Sequence, residues 1–303
     1  FFFFPLTLFS ELLGMKFIAG VVIAVAAMAA TAAAYKPVVL VRGYHGSEPV
    51  YDQFVPALAK AHPGQQVILL NNTGAFRSSE SLSKQLESLQ EQLHLARERY
   101  PDVFEGGFHL VANSQGALVA RAAISAEPLN VEAFVSLAGV QAGFFGQCSL
   151  WFAKSTTCHQ VTNVMYTKVM QKSFSIAQMW RAPYYYRYTH DNTFLAYYNN
   201  ENDNYYNTSF GTNFMRTKHV HFLGSPADEV LHPWYTALFD FYDFDEKTRV
   251  PHEKQFAYRD DTFGLKTLTE AGRVTYTEVP NVKHMQWVKD EAILREHVFP
   301  LLY

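Results

Sequence analysis

The runs PVVLV (37–41), QVILL (66–70), FHLVA (108–112) and VEAFVSLAG (131–139) are apolar along most of their length, not merely at alternate positions. A strand with one wet face alternates, whereas a strand covered on both faces does not. Between them, Leu82, Leu86, Leu89 and Leu93 recur at helical spacing in ESLSKQLESLQEQLHLARERY, with Glu, Gln, Lys and Arg in the intervening positions. A second helix is expected over 115–125. Strand-like runs at KHVHFLGS (218–225) and GRVTYTEVP (272–280), then a final helix around DEAILREHVFPLL, close the pattern. Buried strands alternating with amphipathic helices imply an α/β fold with a mostly parallel sheet flanked by helices.

Residues 144–215 break this rhythm. They include WRAPYYYRYTHDNTFLAYYNNENDNYYN, dense in Tyr and Asn, with no clean period of 2 and only helical fragments. The stretch reads as an insertion over one edge of the sheet, so residues 35–303 are expected to form one domain carrying it. With 303 residues, 49% hydrophobic and 17% charged, the chain can bury a substantial core, which excludes a disordered or coiled-coil reading. A formal charge of −3 without any run of Lys or Arg excludes the electrostatic footprint of a nucleic-acid binder.

The N-terminus is set apart from the fold. Met15-Lys16 opens a positive start to FIAGVVIAVAAMAATAAA, and Ala32 and Ala34 offer an A-x-A cleavage site before Tyr35. That is the build of a secretory signal peptide. The rival is an uncleaved membrane anchor, since the stretch is nearly long enough to span a bilayer. Residues 1–14 precede the first methionine and read as a gene-model or upstream-translation artefact. Residues 1–34 are therefore expected to be absent from the mature protein. Two cysteines, Cys148 and Cys158, lie ten residues apart, a spacing that suits a short disulfide loop in a secreted protein and no zinc site. Sequons at Asn71 and Asn207 fit the same route as candidate glycosylation sites.

The chemistry centres on Ala112-Asn113-Ser114-Gln115-Gly116, between a strand and an Ala-rich helix. Serine is a poor nucleophile until a base takes its proton. In α/β-hydrolases it sits on a sharp strand-to-helix turn whose crowding demands small residues two positions before and after, G-x-S-x-G. Gly116 meets that rule, and Ala112 departs from it by one methyl group. The plain alternative is an ordinary helix N-cap serine. The order of the remaining residues favours the nucleophile, because the fold places an acid and then a histidine in later strand-end loops. Asp228 follows the strand HVHFLG, and His284 follows the last strand. Asp228 would orient the imidazole, and His284 would take and return the proton of Ser114. Two backbone N–H groups must hold the oxyanion, one from Gln115 and one from Tyr44 in the first strand loop, VRGYHG.

Other polar residues are weaker candidates. His219 and His221 read as a polar strand face rather than a metal pair. His232 is too near Asp228 to come from a separate strand end, and His45 reads as a pocket wall. Asp240, Asp243 and Asp245 read as a solvated helix end. Glu229 adjoins Asp228, but only one of the two carboxylates can face the imidazole.

Together VVLVRGYHG, HLVANSQGALVARA, HVHFLGSPADEVLHPW, FGLKTL and VPNVKHMQW resemble the palmitoyl-protein thioesterase family of α/β-hydrolases, most of all its lysosomal branch, over residues 37–303. The resemblance implies Ser114, Asp228 and His284 as catalytic triad and Tyr44 and Gln115 as oxyanion donors. It also implies entry by a signal peptide, glycosylation and delivery to lysosomes, with secretion as the other destination. The insertion would help build an acyl groove, although its aromatics can equally serve as packing. The family usually reads His-Gly where this chain has Arg42-Gly43, and glycine at the position of Ala117. The expected substrate is a long-chain fatty-acyl thioester, on a cysteine peptide or coenzyme A, and no cofactor is implied. Membrane contact is expected only through a lipid substrate or an uncleaved N-terminal segment. Composition does not separate thioester from oxygen ester, so a lipase or carboxylesterase is the enzyme alternative, and a dead hydrolase serving as a binding protein is the other.

Overall fold

The computed structural model describes residues 35–44, 51–70, 77–146, 148 and 157–303, with backbone alone for Lys16–Ile18, Val21–Ala24 and Arg77. Its strands are β1 (Lys16–Ile18), β2 (Val21–Ala24), β3 (Val38–Val41), β4 (Val67–Leu70), β5 (Phe108–Asn113), β6 (Val131–Leu137), β7 (His219–Gly224), β8 (Phe241–Tyr242), β9 (Arg249–Val250) and β10 (Val274–Glu278). The main sheet has the order β1-β2-β4-β3-β5-β6-β7-β10, and every pair from β4 to β10 is parallel. The backbone of β1 and β2 adds an antiparallel hairpin beside β4, within the segment expected to be a leader. Apart from the extra hairpin, the sheet is the parallel one implied by the apolar runs. Val38–Val41 and the whole of β5 and β6 are buried, as strands covered on both faces must be.

Helix α1 (Phe54–Ala61) follows β3, and α2 (Leu82–Arg99) buries Leu82, Leu86, Leu89 and Leu93 along one stripe. Ser81 caps α2 by accepting the N–H of Lys84. Helix α3 (Gln115–Ala126) is buried on nearly every side, including Arg121. Its sequence, QGALVARAAISA, has small residues all round because a second layer covers it.

That layer is the insertion. It leaves the sheet after β6 and returns at β7, two interior neighbours. Helix Thr208–Phe214 packs on α3, and Asn213 donates to the Ser125 carbonyl at 3.0 Å. The layer continues through α4 (Cys158–Met165) and α5 (Lys168–Ser173), with further short helices at Ser175–Met179, Tyr185–Asp191 and Leu195–Tyr198. Many of its aromatics are core: Trp180, Tyr188, Phe194 and Phe214 are at most 1% exposed. Arg121 bolts the layers together. Its guanidinium donates to Gln141 Oε1 at 2.8 Å and Asn199 Oδ1 at 2.7 Å, between the rings of Phe239 and Phe263. Burial lowers its pKa to about 10, so it stays charged at neutral pH. Cys148 and Cys158 are disulfide-bonded, with Cα atoms 5.2 Å apart.

The aspartates of FDFYDFDEK are not at a helix end. Phe241–Tyr242 pairs antiparallel with Arg249–Val250, and Asp243 and Asp245 lie in the exposed turn between them. Asp240 is buried, accepting from Arg249 Nε at 2.6 Å and the His252 N–H at 2.7 Å. The C-terminal stretch is helical as expected, but it passes from a capped α-turn at Glu291–Ile293 to a π-turn at Leu294–Val298 and a 3₁₀ turn containing Pro300.

Candidate active site

Ser114 has φ 54° and ψ −132°, a region that side chains resist and that costs of order 1–3 kcal/mol. Its side chain makes no capping bond to α3. Both facts oppose the ordinary N-cap, which has β-region dihedrals and an occupied side-chain oxygen. The strain is held by the surroundings. Ser114 N–H donates to the Leu137 carbonyl at 2.9 Å, continuing the β5–β6 ladder, and the Ser114 carbonyl accepts from Ala117 at 3.1 Å. A Cβ at Gly116 would overlap the carbonyl oxygen of Arg42, so this position must be glycine for the first strand loop to lie on the turn.

Ala112, two residues before Ser114, fits without distortion. It is fully buried in β5, in register with Val41 and Ser136, and its backbone is not among the positive-φ residues. The methyl of Ala117 is likewise accommodated, because the residue facing it is Gly139, where a Cβ would approach it to 2.8 Å.

Asp228 and His284 stand at the same end of the sheet, beyond the C-terminal ends of β7 and β10. His284 Nδ1 lies 2.7 Å from Asp228 Oδ2, and both residues are buried. The other carboxylate oxygen of Asp228 accepts the N–H groups of Val230 and Leu231, each at 2.9 Å. A carboxylate only accepts, so Nδ1 carries a proton, which in the neutral ring leaves the lone pair on Nε2. Glu229 does not compete for the ring; its Oε2 accepts the backbone N–H of His284 at 3.2 Å. Two adjacent carboxylates thus hold the ring and the main chain of one histidine.

The expected oxyanion donors, Gln115 and Tyr44, are a matter of backbone geometry. Gln115 is the first residue of α3, where N–H groups have no intrahelical acceptor and the helix dipole favours negative charge. Its side chain is turned away, donating to the Ser78 carbonyl at 2.9 Å and to Gln85 Oε1 at 2.8 Å. The Arg42-Gly43-Tyr44 loop is pressed onto the turn so closely that a Cβ on Gly43 would come within 2.9 Å of Ser114 Cβ. Tyr44 has an exposed side chain, leaving its backbone as the relevant part.

Two positions were missed in the sequence. Asn113 Oδ1 accepts the Gly43 N–H at 3.1 Å, binding the first strand loop to the turn, and Tyr51 OH lies 3.2 Å from the same oxygen. Ser225 Oγ accepts the N–H groups of Ala227 and Val282, both at 3.1 Å, fastening the Asp228 loop to the His284 loop. Neither has a motif signal, since each acts through a contact distant in sequence.

The other candidates separate. His221 is buried, with Nδ1 2.8 Å from Thr275 Oγ1, and His219 is half-buried beside it. No metal-binding group of three or more ligands occurs among the described residues. His232 is half-buried, its pKa lowered by burial. His45 and Asn71 lie outside the described residues. Asn207 caps helix Thr208–Phe214 through Oδ1, with its Nδ2 3.5 Å from Tyr205 OH.

Among solved structures, the mature lipase BlEst2 of Bacillus licheniformis superposes with a TM-score of 0.51 at 16% identity, over 89% of this chain and 92% of that one. Carboxyl esterase 2 of Tuber melanosporum gives 0.51 at 10% identity, over 92% and 76%. These likenesses show the α/β-hydrolase fold. In sequence, the chain is 31% identical to the human lysosomal thioesterase PPT2 over 281 residues, 91% of each chain. It is 32% identical to the Bos taurus protein of the same name, over 91% of this chain and 90% of that one. The Drosophila melanogaster homolog is 29% identical over 89% and 92%. The family model for palmitoyl protein thioesterase matches residues 37–284. The chain belongs to the palmitoyl protein thioesterase family.

Proposed function

We propose that this protein is a serine thioesterase that hydrolyses long-chain fatty-acyl thioesters, on cysteine peptides or coenzyme A, with Ser114, His284 and Asp228 as its triad. Ser114 Oγ attacks the thioester carbon as His284 Nε2 takes its proton. The tetrahedral oxyanion is held by the N–H groups of Gln115 and Tyr44. Collapse breaks the C–S bond, the imidazolium protonates the departing sulfur, and the acyl group stays on Ser114. A water deprotonated by His284 then attacks this ester, and the proton returns to Ser114 as the fatty acid leaves. Asp228 stabilises each imidazolium without being protonated itself.

The observation that carries this reading is the serine held at φ 54° with no capping bond, at the sheet end that also presents the 2.7 Å Asp228–His284 pair. An N-cap serine has no need of that strain. Thioester preference and a lysosomal location are supported by the names of the relatives, and the Cys148–Cys158 bond suits the oxidising compartments of the secretory route. The test compares hydrolysis of palmitoyl-CoA, a palmitoyl-cysteine peptide and a triacylglycerol, with Ser114→Ala as control. Turnover of both thioesters that vanishes in Ser114→Ala is expected. Activity on the triacylglycerol alone would instead make it a lipase.

A further inference from the structure

Between Glu132 and Asp191 the chain has no aspartate or glutamate, yet it carries Lys154, Lys168, Lys172, Arg181 and Arg187. A chain of net charge −3 thus concentrates positive charge in the part of its insertion before Asp191. The two arginines are engaged: Arg181 is buried against the rings of Tyr188 and Phe241, and Arg187 pairs with Asp191 at 2.5 Å. Lys168 and Lys172 are exposed one turn apart on α5, and neither forms an ion pair among the described residues.

Apolar side chains stand beside these lysines. Val169 is 70% exposed, Val164 at the end of α4 is 54% exposed, and Phe174 just after α5 is 42% exposed. Val161 and Met165 of α4 are buried in the layer below. Tyr184 and Tyr186 extend the surface, with Tyr184 edge-on against His159 of α4. Two acidic residues border it among the described residues: the half-buried Glu80, whose backbone bridges Phe174, and Asp191, paired with the Arg187 that reaches Asn163 of α4. The same border reaches the active site. Ser175 Oγ donates to the Ser78 carbonyl at 3.1 Å, the oxygen that also accepts from Gln115, the residue after Ser114.

We propose that α4, α5 and Phe174 form a docking surface for an anionic lipid bilayer. Lysine stems lie along an apolar boundary while their ammonium groups reach lipid phosphates, and exposed valine and aromatic side chains enter the headgroup layer. Positive charge whose neighbouring acids are half-buried (Glu80) or already paired with Arg187 (Asp191) complements an anionic leaflet. A second copy of the chain fits worse, because a two-fold contact through this patch would set Lys168 and Lys172 against their own kind. Docking here holds the border of the Ser114 site against the membrane in which acyl chains reside. Binding through this surface does not depend on which ester is cleaved.

The test is flotation of the full chain with phosphatidylcholine vesicles, with and without phosphatidylserine. The protein carries Ser114→Ala, so that no turnover intervenes. Binding only to the phosphatidylserine vesicles is expected, and Lys168→Gln/Lys172→Gln should weaken it about 25-fold, roughly fivefold per lysine. Val164→Asp/Val169→Asp should abolish it. On the active background the same substitutions should leave the melting temperature and hydrolysis of soluble palmitoyl-CoA unchanged, which separates docking from folding and from catalysis. Failure to bind phosphatidylserine vesicles overturns the proposal, as does unchanged binding by Lys168→Gln/Lys172→Gln. Self-association lost on these substitutions, without lipid binding, assigns the surface to a second copy instead.

Discussion

Asn113 Oδ1 accepts the backbone N–H of Gly43 at 3.1 Å, so the residue before Ser114 holds the loop that carries the Tyr44 N–H, the proposed second oxyanion donor. Asn113→Ala leaves that buried N–H unpaired, a loss of about 1–3 kcal/mol, and frees the loop from the turn. Deleting an oxyanion donor outright costs ~10²–10³ in kcat, and loosening one should cost about tenfold with KM little changed. Asn113→Asp retains the acceptor and should keep the melting temperature, yet its charge opposes the oxyanion and kcat should still fall. Steady-state kinetics and thermal melts on both variants check this, and a wild-type kcat in Asn113→Ala would contradict it.

The two small residues flanking Ser114 should respond in opposite ways. At Gly116 the obstacle to a side chain is the Arg42 backbone, which cannot rotate aside. Gly116→Ala should therefore cost about 3 kcal/mol, or prevent soluble expression, with loss of activity. Ala112 is unstrained, so Ala112→Gly, which restores the usual small residue, should lower stability by about 0.5–1 kcal/mol and leave kcat unimproved. Urea unfolding and kcat on the two variants distinguish these cases; a faster Ala112→Gly enzyme would show that the methyl is a burden.

Acid stability should carry the signature of His221. Burial lowers its pKa from 6.5 to about 4, so the fold keeps this ring neutral. As pH falls, the unfolded chain takes up the proton first. The contribution is whole above about pH 6.5, declines by roughly 1.4 kcal/mol per unit below it, and levels off near pH 4. His221→Asn, which keeps a polar partner for Thr275, should flatten the stability–pH curve between pH 6.5 and 4. Denaturant midpoints at successive pH values measure this, and parallel curves for the two proteins would rule it out.

The parts of the fold legible in sequence are those fixed by local composition. Runs such as VVLV and the Leu82–Leu93 stripe announce their burial because each residue's environment repeats along the element. The order Ser114, Asp228, His284 was legible for the same reason, each residue following a strand. The insertion was opaque because its helices are short and held by distant partners. Gln178 Oε1, for example, accepts the Leu82 N–H at 2.5 Å, and Asn192 donates to the Gln178 and Trp180 carbonyls. The contacts of Asn113 and Ser225 were invisible for a related reason, since a single polar side chain carries no period. Asp240 was misread because its partners, Arg249 and His252, belong to the returning strand and the turn after it.

The central claim is that Ser114 carries the acyl group. Rapid quenching of the protein with palmitoyl-CoA, followed by peptide mass spectrometry, should find the palmitoyl adduct on the peptide containing Ser114. Ser114→Ala should form no adduct and lose at least about 10⁴ in kcat. An adduct on another residue, or turnover by Ser114→Ala near the wild-type rate, would contradict the account.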